Sequence, residues 1–541
     1  MRSVRECPQS TLSLWERVRV RGGRMAPDFE ILGGSPSPRP SPKGRGRTAA
    51  LLLLLLLIAA APSSAAEAGK AKIYVVLWFD TEDYLLPASD DAALRVADFL
   101  SQEKIRATFK IVGEKARTLQ RRERFDVIAA LKKHEIGYHS NYHSVQPSPA
   151  MYLSTLGWDD GVAEFERREG SGLRDVERIF GQKPSCYGQP GSSWAPQSFG
   201  VMRRWGMAAY LDAGSHVKLD DKPHYYCGML TLYKLAHTLR TGLGGESELL
   251  SAQDRFQSAR QSLLAEGGGV VSIFYHPCEF VHKQFWDGVN FGRGANPPRS
   301  AWKAPPAKTA EESRTAYETF ERYIRFIHGF DEVQFITASQ AAKLYRDRAQ
   351  GREFTPEELK KIAEAVTADA TFQTHGDYAL AASEIFWLLN EYVARAAAGE
   401  KPAKLVLKQT PLGPAEATPM LNSKATTDAS QFARTAADVS EFLARQERIP
   451  PTVWLGSVGV PPESYLQALA QTAVRLLDGK PLPDAIELKP ARLAAAEYVA
   501  DDGPNLWGWV IFPPGFRAPA MMELAKRQAW TIKPALLGSV E

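Results

Sequence analysis

The stretch IYVVLWFDTEDY, Ile73 to Tyr84, is an apolar run without alternation that stops abruptly at three acids, Asp80, Glu82 and Asp83. A short, continuously apolar run bounded by polar residues reads as a strand covered on both faces, as in a parallel sheet. Similar runs follow at Ala107–Val112, Glu135–His139, Pro184–Gly188, Met207–Leu211, Val270–His276 and Glu332–Thr337. Stretches with helical spacing separate several of them, at Asp91–Glu103, Arg121–His134, Gly161–Phe180 and Ala195–Trp205. Strands alternating with crossover helices from Lys72 to about Arg348 predict a parallel α/β barrel. The polar residues of interest follow the runs: the three acids after the first, His139 and His143 with the third, Gln189 to Trp194 after the fourth, Asp212 after the fifth, His276 at the sixth. In a barrel those strand ends form one face, where active sites are built.

His139 and His143, in YHSNYHS, are four residues apart. Two imidazoles at that spacing, with a carboxylate from another strand, make a facial set for one divalent cation with positions left for water and substrate. That donor set predicts a metal-dependent hydrolase. Zinc suits it best; cobalt, nickel and manganese also accept such ligands.

The chain of 541 residues, 44% hydrophobic and 24% charged, is too long for one core and reads as globular with two or more domains. Its formal charge of +4 comes from the leader: ten of the 66 basic residues but four of the 62 acidic ones precede Glu67. Without that segment nothing argues for nucleic acid. Residues 1–48 are a basic, low-complexity leader, either disordered or upstream of the true start. Residues 49–66 contain Leu51 to Leu57 and end in Ser64, Ala65 and Ala66, which resembles a secretory signal peptide too short for a stable transmembrane span. A secreted, periplasmic or cell-envelope location is expected. Cys186, Cys227 and Cys278 follow it, an odd count that excludes a full disulfide framework.

FDTEDY, HSNYH, YGQPGSSW and IFYHP, in this order, resemble the polysaccharide deacetylases, the NodB homology domain of carbohydrate esterase family 4. The resemblance implies a distorted (β/α)7 barrel over residues 72–348 and removal of N-acetyl groups from amino sugars in a polysaccharide or cell-wall glycan. It implies Asp80 as general base, His276 as general acid, and Asp83, His139 and His143 as metal ligands, with Glu82 the alternative to Asp83. Tyr187, Gln189, Trp194 and Trp286 are the substrate-binding candidates, and a backbone N–H between Tyr187 and Pro190 the oxyanion donor. The family's third motif usually offers an arginine where this chain has Gly188 and Gln189, and Lys110 is a candidate replacement.

Past Arg348 the pattern changes. Thr355 matches Thr435, Gly376 matches Gly456, Gly399 matches Gly479 and Leu407 matches Leu488, which predicts a duplicated α/β module over residues 353–541, with Leu493–Leu537 a third partial unit. The second copy resembles pseudomurein-binding repeats. Such a module either holds the enzyme on a polymer or packs as a structural domain. Two other function classes stay open: a carbohydrate- or wall-binding protein whose barrel has lost catalysis, and a metal hydrolase of a small amide or O-acetyl ester.

Overall fold

The computed structural model describes residues 71–538; the leader and signal-peptide expectations lie outside them. The N-terminal part of the described chain is a curled, mostly parallel sheet wrapped by helices. Its strands are β1 (Ile73–Thr81), β2 (Thr108–Ile111), β3 (Glu135–Tyr138), β4 (Cys186–Tyr187), β5 (Ala209–Leu211), β6 (His224–Tyr226), β7 (Met229–Leu232), β8 (Thr238–Leu239), β9 (Gly269–Tyr275) and β10 (Val333–Ile336). They run in the order β6-β7-β5-β4-β3-β2-β1-β9-β8, with β10 beside the first half of β1. The predicted α/β barrel is present. Its seven runs are β1–β5, β9 and β10; the β6–β7 hairpin and β8 are additions. Among the described strands no ladder joins β7 to β8, so the barrel is open there.

Alternation along β1 sets the geometry of everything above it. Ile73, Val75, Leu77 and Phe79 face the outer helices, sharing a core with Ala92, Val96 and Leu100 of α1 (Pro87–Gln102), a helix begun by Pro87. Tyr74, Val76 and Trp78 face the barrel interior with Cys186, Ala209, Leu211 and Ile336. Continued past Trp78, the inward parity falls on Asp80 and Glu82. The parallel register puts Lys110 beside Asp80 and Gly137 beside Lys110, so one interior row crosses β1, β2 and β3 just below the mouth.

Residues 353–493 form helix, hairpin, helix and strand twice, around a core of their own. Helices Ala382–Ala397 and Pro462–Leu477 pack there, joined by Tyr465 Oη donating to Asn390 Oδ1 at 2.8 Å. The segment expected as a third partial unit does otherwise. Ala495, Val499, Leu506, Trp507, Phe512 and Met521 join the barrel's own core, and Lys533–Pro534 pairs antiparallel with β6. Cys186, Cys227 and Cys278 are free and buried, and burial raises the Cys278 thiol well above its ordinary range, against any nucleophilic role. No helix among the described residues is long and apolar enough to cross a membrane.

Candidate metal centre and active site

His139 and His143 are held by a loop pinned through several of its backbone groups. Ser140 and His143 both adopt left-handed backbone conformations, φ 67° and 57°. This costs free energy and persists where surroundings enforce it. Here they do: the Ser140 carbonyl accepts from Gly113 N–H, the Asn141 carbonyl from Glu114 N–H, Asn141 N–H donates to Glu169 Oε2, and His143 N–H donates to Ser140 Oγ. His139 Nδ1 lies 2.9 Å from the Gly188 carbonyl oxygen, which can only accept, so the ring proton sits on Nδ1 and the Nε2 lone pair is free. His143 Nδ1 contacts Ser144 Oγ at 2.6 Å.

Both Nε2 atoms are buried without a hydrogen bond and converge on Glu82 Oε2, at 3.7 Å from His139 and 2.9 Å from His143. The three ligand atoms lie within 4.8 Å of one another. Orphaned buried imidazole nitrogens facing a carboxylate are what a borderline-soft divalent cation would satisfy, so the donor set fits such an ion. Asp83, expected beside the imidazoles, is not there. Its parity turns it outward, where Oδ1 accepts Leu85 N–H at 2.8 Å and Leu86 N–H at 3.3 Å and Oδ2 accepts the Ser89 hydroxyl, tying down the start of α1. Glu82 takes the position instead. Two-residue alternation continued from Trp78 was the signal that separates them.

Asp80 sits one step below. Lys110 Nζ, wholly buried, pairs with Asp80 Oδ1 at 2.9 Å and Asp212 Oδ2 at 2.7 Å, donates to the Leu211 carbonyl at 2.9 Å, and lies 4.1 Å from the Trp78 ring centroid. The ammonium therefore occupies the middle of the second acid-rich group, Asp80, His139 and Asp212. Space for it comes from glycine. A Cβ on Gly188 would stand 2.0 Å from Lys110 Nζ and 2.3 Å from Asp212 Oδ2, and one on Gly137 would stand 3.0 Å from Lys110 Cγ. The cation absent from the 188 position thus reaches Asp80 from β2.

His276 closes the set. Its Nε2 lies 3.6 Å from Asp80 Oδ2 and 3.9 Å from Glu82 Oε2, while Nδ1 faces Glu279 Oε2 at 3.2 Å; Glu279 is paired in turn with Arg240.

The protonation states follow from these contacts. Burial works to raise the Asp80 carboxyl, but His139, Lys110 and His276 outweigh it and hold it below its ordinary value. Glu82 is held well below for the same kind of reason, burial being overcome by His143, His276 and His139. Burial lowers His139; in His143 the Glu82 charge outweighs burial and raises it. For His276, burial opposes the charged form, yet Glu82, Glu279 and Asp80 push it up to about 9. Asp212 is raised to about 7, by burial first and by Asp80, against the pull of Lys110.

Of the expected substrate contacts, Tyr187, Gln189, Trp194 and Trp286 are at most 1% exposed. Trp194 stacks on His216 at 5.0 Å, and Gln189 Nε2 donates to Tyr233 Oη. Trp286 packs against Tyr84, Phe291 and Trp302. In the structure these rings are core: Tyr187 lies in β4, Trp194 stacks on His216, which packs on Trp507, and Trp286 is folded with the loop after β9 against Ile511. Gly188 N–H is spent on the Tyr138 carbonyl at 3.2 Å, so it is not the oxyanion donor. Sequence reasoning missed Trp509, which stands edge-on to His143 at 5.1 Å. Nothing local marks it, since its partners lie hundreds of residues earlier in the chain.

No family model matches the chain, and no curated protein is similar to it by sequence. Among solved structures, one named as a polysaccharide deacetylase from Mycobacterium smegmatis is 14% identical, covering 51% of this chain and 90% of its own, with a TM-score of 0.34. An allantoinase is 16% identical, covering 51% and 90%, at 0.33. A carbohydrate esterase family 4 pseudoenzyme from Bacillus anthracis is 14% identical, covering 50% and 65%, at 0.25. The names span a deacetylase, an allantoinase and a pseudoenzyme.

Proposed function

We propose that this protein is a metal-dependent hydrolase that removes N-acetyl groups from amino sugars of a polysaccharide or cell-wall glycan. We further propose that it works outside the cytoplasm, secreted or held in the cell envelope, as the leucine-rich segment before Glu67 suggests. The observation that carries the reading is the convergence of two orphaned Nε2 atoms on Glu82 Oε2, with Asp80 and His276 adjacent. A divalent cation held by Glu82, His139 and His143 would polarise the acetyl carbonyl and lower the pKa of the attacking water.

The chain's own groups do the rest. Asp80, kept ionised and oriented by Lys110, takes the water proton as water oxygen bonds to the acetyl carbon. His276, whose pKa its acidic neighbours raise against burial and whose Nδ1 is fixed by Glu279, presents Nε2 towards the same acids and delivers a proton to the departing nitrogen as the C–N bond breaks. Acetate and a free amine result. Elemental analysis of the purified protein, with acetate release from N-acetylated oligosaccharides by parent and Asp80→Asn, tests this. Bound metal with acetate abolished by Asp80→Asn supports it. Metal without acetate from any glycan points to a small amide or ester, and neither metal nor turnover leaves a binding protein.

A further inference from the structure

The C-terminal segment forms a roof over the metal centre. Trp509 stands edge-on to His143, its Nε1–H donates to Asp287 Oδ2 at 2.7 Å and its backbone N–H to Ser192 Oγ at 3.0 Å. The ring lies so close to Gly191 that a Cβ there would stand 2.2 Å from it, and Gly191 itself has φ +51°. The next turn of chain is clamped: Arg293 N–H donates to the Val510 carbonyl at 2.8 Å, Gly294 N–H to the Ile511 carbonyl at 3.0 Å, and the Ile511 side chain is fully buried beside Trp286. This is a fixed wall. Beneath it the side chains of Asp80, Glu82, His139 and His143 are 7, 4, 1 and 2% exposed, and His276, at 14%, is the most open of the five.

An internal sugar of a polymer carries a neighbour on either side, so its acetamide reaches these groups only where a groove continues past them in both directions. Trp509 blocks one direction. We propose that Trp509 is a specificity-determining residue that restricts turnover to a terminal or unlinked N-acetylated sugar. This rests on the deacetylase reading above and narrows its substrate from a polymer backbone to a chain end.

The test is the number of acetates released per chain, read by mass spectrometry, when the metal-loaded full-length protein is incubated to completion with β-1,4-linked N-acetylglucosamine oligomers from monomer to hexamer. One acetate per chain at every length is expected, and several per chain from the hexamer overturns the proposal while leaving the deacetylase reading intact. Trp509→Ala opens the blocked direction and is expected to release more than one acetate per hexamer, whereas Trp509→Phe, which keeps a ring, is expected to stop at one. A folded, metal-bound Trp509→Ala protein that still stops at one also overturns the role given to the indole. Acetate from no oligomer overturns both readings together. The parent's count decides the matter even if the alanine variant does not fold.

Discussion

Replacing Lys110 by Met keeps an unbranched side chain one atom shorter and removes the charge, leaving Asp80 and Asp212 buried together with only His139 and His276 to offset them. At 2.9 and 2.7 Å the two ion pairs each amount to about 6 kcal/mol of gross attraction at an effective dielectric constant near 20. Desolvation offsets much of this, and removing one partner of a buried pair typically costs about 3–5 kcal/mol. The loss is largest where both acids are ionised. Without Lys110 their folded pKa values rise above the unfolded value of about 3.9, so the variant's stability is greatest below that pH and falls as pH rises through the new values. Asp212 already leans this way, being raised to about 7 with the lysine present. Denaturant unfolding at pH 8 should therefore show Lys110→Met roughly 4 kcal/mol less stable than the parent, and at pH 5 the gap should narrow by about half, since a proton then replaces the missing cation. Acetate release should fall about 10–100-fold, the range for losing a partner that orients an active group. An unchanged unfolding midpoint at pH 8 with unchanged turnover would refute the idea that Lys110 supports Asp80.

Three further outcomes are expected. Glu82→Gln should weaken zinc binding in calorimetric titration by more than about 100-fold, whereas Asp83→Asn should bind zinc normally and lose about 1–2 kcal/mol in unfolding, since its acceptor oxygens serve Leu85, Leu86 and Ser89. In metal-free protein the His276 ring should titrate near 9 by NMR; adding zinc should lower that value by about one unit or more, because the Glu82 charge that raises it is then shared with a cation. Up to that loading, the stability His276 contributes is present below its unfolded pKa of about 6.5 and is lost as pH rises through 9. Gly188→Ala puts a Cβ 2.6 Å from the Leu211 carbonyl as well as against Lys110 and Asp212; thermal melts should show a loss of about 1–3 kcal/mol, with turnover reduced as in Lys110→Met.

Much of the site was legible because a strand has period two. The apolar run through Phe79 fixes which residues of β1 face inward, and His139 and His276 lie in step with the inward residues Gly137 and Phe274 of their own strands. The same rule, carried two residues past Asp80, picks Glu82 over Asp83, the residue that the family resemblance put first. Trp194 and Trp286 could be sugar platforms or packing on the sequence alone, because an aromatic in a Gly- and Pro-rich loop looks the same whether it awaits a sugar or fills a core, and they prove to be core. What decides is the covering layer, here Trp507 to Phe512, and no local pattern ties that segment to a loop more than two hundred residues earlier. The β6–β7 hairpin escaped for a simpler reason: His224–Tyr226 and Met229–Leu232 are too short to carry a period.

The distribution of charge explains why this buried set of acids tends towards a dication. Lys110 answers Asp80 and Asp212, and Arg240 answers Glu279. Of these four acids Glu82 has no Lys or Arg within ion-pairing distance among the described residues, and faces the imidazoles of His139, His143 and His276. An isolated buried carboxylate is costly, so the metal-free protein compensates by binding protons on its neighbours, which is why His143 and His276 are raised despite burial. A cation on Glu82 removes that need, and the ligand nitrogen of His143 must give up its proton to bind one. Proton and dication therefore compete for one position, and Lys110, by neutralising Asp80 from the far side, keeps that carboxylate out of the competition.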